Sequence, residues 1–544
     1  MRFTTEYLFL GTILLLSGAE CTTPKYTACP SMSLVRDASG LSTDELKFLE
    51  KRKSKADAAL INWLSRTSNQ FDVEGVKLPT IGLTTSGGGY RSMLTGAGVI
   101  QAMDERDSNG SLSGLFQALS YQAGLSGGGW LLSSFAGNNY PTISKLREDL
   151  WEETFQNGLL TPENGNAPEI YKQIVADVAA KNTAGFDTTL TDPYGRLLSY
   201  QFFPGPAYGA NLTFSSVATL SNFSDHAVPF PMIVSLGVKT FNGESRPGPN
   251  ATIYEFSPFE FGSWDSDVSA FVQTKYLGTS ITSGNPSNNS GCVTDYDNIG
   301  YVLAVSSNVF NYAAGSMPKS SLLTTELMTK VQSLLVDVHE TTTEDFFAVF
   351  SNPFKGYKSA TMELNTANLI TEQEKLHLVD GGEALQNNPI WPMLQPARGV
   401  DVIFVNDNSA DTNDNWPNGT EILTTYTQSF NQGLTRMPYI PEVATFIKKG
   451  LNKRATIFGC DEADKITIVY LPNNAQTYMS NMATSKLQYS KIETRRMIEN
   501  GMAVATQNGD EAWASCLGCA ILRKTDSKLP RACDTCFRKY CYRD

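Results

Sequence analysis

Three short runs hold residues that chemistry can use. Gly124-Leu125-Ser126-Gly127-Gly128 is a GxSxG pattern, a turn that holds serine at a strained strand-to-helix corner with its hydroxyl projecting into a cleft. Bulkier neighbours would clash there or block an acyl carbon, which explains the glycines. A helix opening after Ser126 would point its N-terminus at that oxygen and favour a developing oxyanion. With 43 glycines in the chain, a chance turn is the alternative. The second run is Ser86-Gly87-Gly88-Gly89-Tyr90-Arg91. Bare backbone N–H groups approach an oxyanion closely, and Gly88 and Gly89 are placed to donate them. Arg91 adds a fixed cation for a phosphate or oxyanion. A nucleotide loop is the rival, but no Gly-Lys-Ser/Thr follows and the GxGxxG spacing is missing.

The third run decides the base. Only His226, His339 and His377 are available, and none has a distinctive setting. His377 is the best placed, because His377-Leu378-Val379-Asp380-Gly381-Gly382 ends a strand at a glycine turn. Residues three apart on a strand face opposite sides, however, so His377 and Asp380 cannot easily line one site. Asp380 lies at the turn, where an active-site residue of an open parallel sheet belongs. A Ser126–Asp380 dyad is the more economical reading; the alternative for Asp380 is a helix cap.

The surrounding elements must position these turns. Thr80 to Thr85 reads as a strand and Arg91 to Met103 as a helix, followed by a buried strand over Ala118 to Leu125 and a helix from Gly127 to Phe135. Pro231 to Val238, Val400 to Val405 and Ile466 to Leu471 are further apolar strands. Strands alternating with helices imply a three-layer α/β fold, a mostly parallel sheet between helices. Ser42 and Glu45 form a capping box ahead of a helix bearing Leu46, Leu49, Leu60, Trp63 and Leu64. From about 161 to 300 the composition turns to Asn, Gly, Pro, Ser and aromatics, which reads as a surface elaboration or cap of one domain spanning 22–544.

Composition bounds the rest. At 41% hydrophobic and 18% charged, the 544 residues are those of a globular protein. A net charge of −12 argues against nucleic acid. Arg2, the apolar run Tyr7 to Leu16, and Ser17 and Ala19 read as a secretory signal over residues 1–19, cut as late as residue 21. The C-terminus reads as lacking a glycolipid-anchor signal. Sequons at Asn109, Asn211, Asn222, Asn250, Asn288 and Asn418 agree with secretion. Of nine cysteines, Cys516, Cys519, Cys533, Cys536 and Cys541 crowd the tail, 516–541. Two CxxC pairs would suggest zinc in the cytosol, but disulfides in an oxidising compartment.

SGGGYR, GLSGGGW and VDGGEALQNNPIWP together resemble the fungal lysophospholipase/phospholipase B family, and more distantly the cytosolic group IV phospholipases and patatin-like lipases. NWPNGT around Asn418, FGCD from Phe458 to Asp461, and the CLGCA and CDTCFRKYC runs extend the resemblance over nearly the whole mature chain. The resemblance implies a dyad of Ser126 and Asp380, an oxyanion hole at Gly88 and Gly89, and Arg91 steadying the substrate phosphate. It also implies catalysis without metal or cofactor on phospholipids and lysophospholipids at a membrane surface or micelle, through an acyl-enzyme resolved by water or a second lysolipid. On the same resemblance, no calcium-binding lipid module is expected ahead of the domain. Gly129 stands where relatives often carry serine, and Ala384 replaces a common acidic residue, which bears on substrate preference. Two other readings are an esterase of neutral lipids using the same dyad and a surface protein with an inactive hydrolase fold.

Overall fold

The computed structural model describes residues 23–543 apart from 69, 163–166, 206, 288–290, 315–321 and 361–368. The signal segment 1–19, Cys21 and the Asn288 sequon therefore lie outside the described residues. Twelve strands join in one sheet. In chain order they are β1 (Val35–Asp37), β2 (Ile81–Thr85), β3 (Tyr121–Gly124), β4 (Phe230–Gly237), β5 (Ile253–Phe256), β6 (Glu260–Ser263), β7 (Ala270–Gln273), β8 (Ala348–Ser351), β9 (Lys375–Asp380), β10 (Val402–Asp407), β11 (Thr456–Phe458) and β12 (Thr467–Pro472).

The expected parallel block is present as β12-β10-β2-β3-β4. Its strands are buried almost throughout and so read as continuous apolar runs. The sheet as a whole is mixed, not mostly parallel, because β5, β6, β7 and β1 extend it antiparallel beyond β4 and β11 closes the other edge. Antiparallel neighbours need only a tight turn, which the Gly- and Pro-rich composition after residue 161 supplies. That stretch is accordingly no mere surface cap: it contributes β4 to the parallel block and all of β5, β6 and β7.

One pairing has direct consequences for chemistry. β4 pairs with β3 in parallel through Phe230–Ile233 and with β9 antiparallel through Ser235–Gly237. β3 and β9 therefore lie end to end along one edge of β4, running toward each other, and their C-terminal ends meet. Asp380 thus ends an antiparallel strand, where the sequence suggested a parallel one.

The helices that matter are α1 (Thr43–Thr67), α2 (Gly89–Met103), α3 (Ser126–Gly137), α4 (Ile299–Val305), α5 (Thr325–Val336), α6 (Thr420–Asn431), α7 (Lys491–Thr506), α8 (Trp513–Leu522) and α9 (Ala532–Tyr540). Ser42 caps α1 by accepting from the Glu45 N–H at 3.1 Å. The other half of the expected box is diverted: Glu45 turns inward and, with Glu255, binds the buried Arg398 guanidinium. The buried stripe of α1 is Glu45, Phe48, Arg52, Ala56, Leu60, Trp63 and Leu64, while Leu46 is exposed. Leu60, Trp63 and Leu64 are buried as their spacing suggested, while in the N-terminal half the charged Glu45 and Arg52 join Phe48 on the inward face and Leu46 is left outside. α2 packs on α7 at glycine contacts; a Cβ on Gly98 would lie 2.0 Å from the Ile498 carbonyl oxygen.

Cys516 pairs with Cys536 and Cys519 with Cys533, stapling α8 to α9. Cys460–Cys541 fastens the tail to the end of β11, and Cys29–Cys292 ties down the N-terminal segment. Asn109, Asn211 and Asn250 are exposed, and Asn222 and Asn418 are half-buried. Among the described residues no helix is long and apolar enough to cross a membrane.

Candidate active site

The end-to-end arrangement of β3 and β9 brings two turns together. After β3 the chain passes Leu125 and enters α3 at Ser126, whose backbone has φ +49°. A non-glycine residue held there costs of order 1–3 kcal/mol, and surrounding contacts must enforce it. They do: the Ser126 N–H donates to the Ser306 carbonyl at 3.1 Å and to Ser306 Oγ at 3.0 Å. The same Ser306 carbonyl accepts from the Gly381 N–H at 3.1 Å, and the Asn308 carbonyl accepts from the Asp380 N–H at 2.9 Å. The segment leaving α4 thus clamps both turns at once. Ser306 Oγ donates onward to the Val234 carbonyl at 2.6 Å, anchoring the clamp to β4.

Within this frame Ser126 and Asp380 line the same cleft, and the Ser126 side chain lies close enough to the Asp380 carboxylate to lower its pKa. Asp380 also accepts from the Gly382 N–H at 2.7 Å, a local turn contact with no helix behind it, so it is not a helix cap. Burial pushes its pKa up from 3.8 to about 6, with the Ser126 side chain and the Gly382 N–H opposing the rise. His377 points elsewhere, to Thr240 Oγ1 at 3.0 Å and Glu344 at 3.2 Å. His226 stacks beside Phe48, and His339 binds Thr188 and Glu340. No histidine is among the residues lining the cleft at Ser126.

The glycine turn after β2 packs backbone against backbone on the serine turn. A Cβ on Gly127 would fall 2.1 Å from the Gly89 carbonyl oxygen, and one on Gly128 would fall 2.1 Å from that of Thr85. This contact, beyond access to the serine, is why the GxSxG run continues in glycines. Gly88 and Gly89 have φ of +138° and +58°, values that suit glycine. Several turn amides are already committed: Ser126 N–H to Ser306, Gly128 N–H to Ser86, and Gly87 N–H to Asn387. Gly88 and Gly89 line the cleft with Ser126, at the start of α2, where N–H groups precede any intrahelical partner.

Arg91 is buried beside them. Its Nε donates to the Asn408 carbonyl at 2.9 Å and its Nη1 to the Met482 carbonyl at 2.6 Å. Nη2 lies against Gly88, where an added Cβ would be 2.6 Å away. Burial lowers its pKa to about 10 while Tyr489, Asp411 and Asp407 hold it up, so it stays cationic at neutral pH.

The cleft has a volume of about 380 Å³, within the range of small-molecule sites. Ser126, Asp380, Gly88, Gly89 and Arg91 all line it. Several neighbours escaped the sequence reading. Asn387 binds the Gly87 N–H through both its carbonyl and Oδ1 at 3.1 Å, and its Nδ2 reaches Ser409 Oγ at 2.8 Å. Its own N–H donates to Glu421 at 2.7 Å. Glu383, Asp411 and Glu421 join Asp380 in the lining. Burial raises Glu383 and Glu421 well above the usual carboxylate range and Asp411 to about 7, the last two also repelling each other. Asn387 lies inside the VDGGEALQNNPIWP run, whereas Glu421 follows the Asn418 sequon with no motif of its own. The Asn418 N–H in fact donates to Asp411 at 2.8 Å.

Comparison with known proteins agrees with this architecture. Residues 81–544 match the family model described as the lysophospholipase catalytic domain. The chain is 38% identical over 557 residues to lysophospholipase 1 of Saccharomyces cerevisiae, covering 95% of this chain and 82% of that one. It is likewise 38% identical to lysophospholipase 1 of Aspergillus fumigatus, covering 96% and 87% of the two chains. Among solved structures, human GIVD cytosolic phospholipase A2 superposes with a TM-score of 0.69 at 17% identity, covering 92% of this chain and 72% of that one. This last likeness concerns the fold alone.

Proposed function

The chain belongs to the lysophospholipase catalytic-domain family, and from that premise we propose that it cleaves the acyl esters of lysophospholipids and phospholipids through Ser126 and Asp380. The meeting of Ser126 and the buried Asp380 in one cleft, both turns held by the segment leaving α4, carries this reading. Asp380 takes the hydroxyl proton as Ser126 Oγ attacks the ester carbonyl carbon. The tetrahedral oxyanion is held by the N–H groups of Gly88 and Gly89, where one such donor is typically worth about 3–4 kcal/mol. The intermediate collapses, the proton on Asp380 passes to the leaving glycerophospho alcohol, and an acyl-serine ester remains. Water, deprotonated by Asp380, then attacks the acyl carbon; the acyl–Oγ bond breaks, Asp380 returns the proton to Ser126 Oγ, and the fatty acid leaves. Arg91 Nη2 faces the leaving phosphate as the one cation among the described lining residues. Secretion, cleavage of the N-terminal signal and glycosylation at the six sequons belong to the same proposal. Four disulfides support it, because they persist in oxidising compartments.

A second reading, an esterase of neutral lipids, is favoured by one observation: two of the three guanidinium nitrogens of Arg91 are already bound to backbone carbonyls. Product analysis on phosphatidylcholine, lysophosphatidylcholine and a neutral p-nitrophenyl ester, with wild type and Arg91→Lys, separates the two. The phospholipid reading expects free fatty acid from lysophosphatidylcholine and a much larger loss in Arg91→Lys on that substrate than on the neutral ester. Equal losses would assign Arg91 to structure and favour the neutral esterase.

A further inference from the structure

Five residues beyond Asp380, in the same turn, stands a leucine that breaks two rules at once. Leu385 has φ +57°, a conformation that a branched apolar side chain adopts at a cost and that glycine or asparagine would adopt more readily. Its side chain is also 48% exposed, so burial in the core does not offset that strain. Strain of this kind persists where surroundings enforce it and clusters at sites of function.

Its location gives the two oddities one purpose. Leu385 lines the cleft of Ser126, and Val309, Leu322 and Leu327 line the same cleft. Leu327, in α5, is itself buried. The cleft therefore carries a polar set, with Arg91, Gly88 and Gly89, and an apolar set that includes a leucine held out from the protein at a conformational cost. We propose that Leu385 is a specificity-determining residue that contacts the acyl chain of the substrate, so that long-chain esters are selected over short-chain ones. The inference rests on the lipid-ester reading above and adds to it the feature of the substrate that is read. Apolar contact scales with the area removed from water. A chain long enough to reach Leu385 gains from it, and one ending near the ester carbonyl does not.

Leu385→Asn tests this, because asparagine keeps much of the shape of leucine, tolerates positive φ and lacks the apolar surface. Steady-state kinetics are measured on palmitoyl-lysophosphatidylcholine and its hexanoyl analogue, with thermal unfolding alongside. We expect kcat/KM on the palmitoyl substrate to fall about tenfold, chiefly through KM. The hexanoyl rate should stay within about twofold, and Tm should be equal to or above wild type. Leu385→Met, apolar and flexible, should recover most of the long-chain rate. Equal losses on both chain lengths, a lowered Tm with parallel loss of both activities, or an unchanged palmitoyl rate would each overturn the assignment. So would a palmitoyl loss matched by weaker sedimentation with phosphatidylcholine vesicles, which would make Leu385 a surface anchor. If wild type released no fatty acid from either lysolipid, the lipid-ester reading itself would fail.

Discussion

In the proposed mechanism Asp380 must be ionised to accept a proton, yet it is buried where ionisation is costly. With its pKa raised to about 6, kcat/KM should decline on the acid side with an apparent pKa near 6. A limb near 4 would mean the carboxylate is solvated during turnover. The sign for stability is opposite. A carboxyl whose folded pKa exceeds its unfolded value contributes fully below pH about 4, and that contribution is lost as the pH rises through about 6. At neutral pH the ionised group thus costs on the order of 2–3 kcal/mol before relaxation. Asp380→Asn should therefore abolish turnover while leaving Tm at neutral pH equal or higher, and His377→Ala should keep its activity. An Asp380→Asn protein with near-normal turnover beside an inactive His377→Ala protein would call for a triad. That Asp380 rather than His377 shares a cleft with Ser126 was legible because strand periodicity separates the two. The raised pKa was not, since burial depends on residues far away in the chain.

At the scale of elements, the site is a junction of turns. β3 and β9 meet end to end on β4, the α4 exit clamps both turns, and Asn387 ties the glycine turn to the chain just after Asp380. Asn387→Ala should lower kcat about 100-fold, as expected when donors are misplaced by an ångström, with KM nearly unchanged. If Asn387 acts through the glycine turn, adding Gly88→Ala should cost much less than the product of the two single losses. Multiplicative losses would place its action elsewhere. The strand-turn-helix units around Ser86 and Ser126 were readable because each is local, an apolar run followed by a glycine turn. The antiparallel approach of β9, the strands between residues 253 and 273, and the role of Ser306 were not. Each depends on a long-range pairing that no local pattern encodes, and Ser306 acts largely through a backbone carbonyl that every residue possesses.

The whole molecule is held by one extended sheet and by covalent fastening at its ends. Cys516, Cys519, Cys533 and Cys536 are paired between α8 and α9, and Cys460–Cys541 closes the tail. Native disulfides are typically worth about 2–5 kcal/mol. Reductant should therefore lower Tm by several degrees, while a chelator should alter neither Tm nor activity; inactivation by chelator alone would contradict this. That the tail would be stapled was legible from cysteine density and the expectation of an oxidising compartment. The partners were not, because spacing permits many pairings. The charge pattern was legible only in total: the net charge of −12 gave no hint that, among the described residues, four carboxyl groups and a single arginine share the cleft. The most direct test of the central claim is covalent capture in the native protein. A fluorophosphonate probe is added, and intact mass and peptide mapping locate the adduct. The account predicts a single adduct on Ser126, absent in Ser126→Ala, formed far more slowly in Asp380→Asn and at the wild-type rate in His377→Ala. An adduct on another residue, or wild-type labelling of the Asp380→Asn protein, would contradict it.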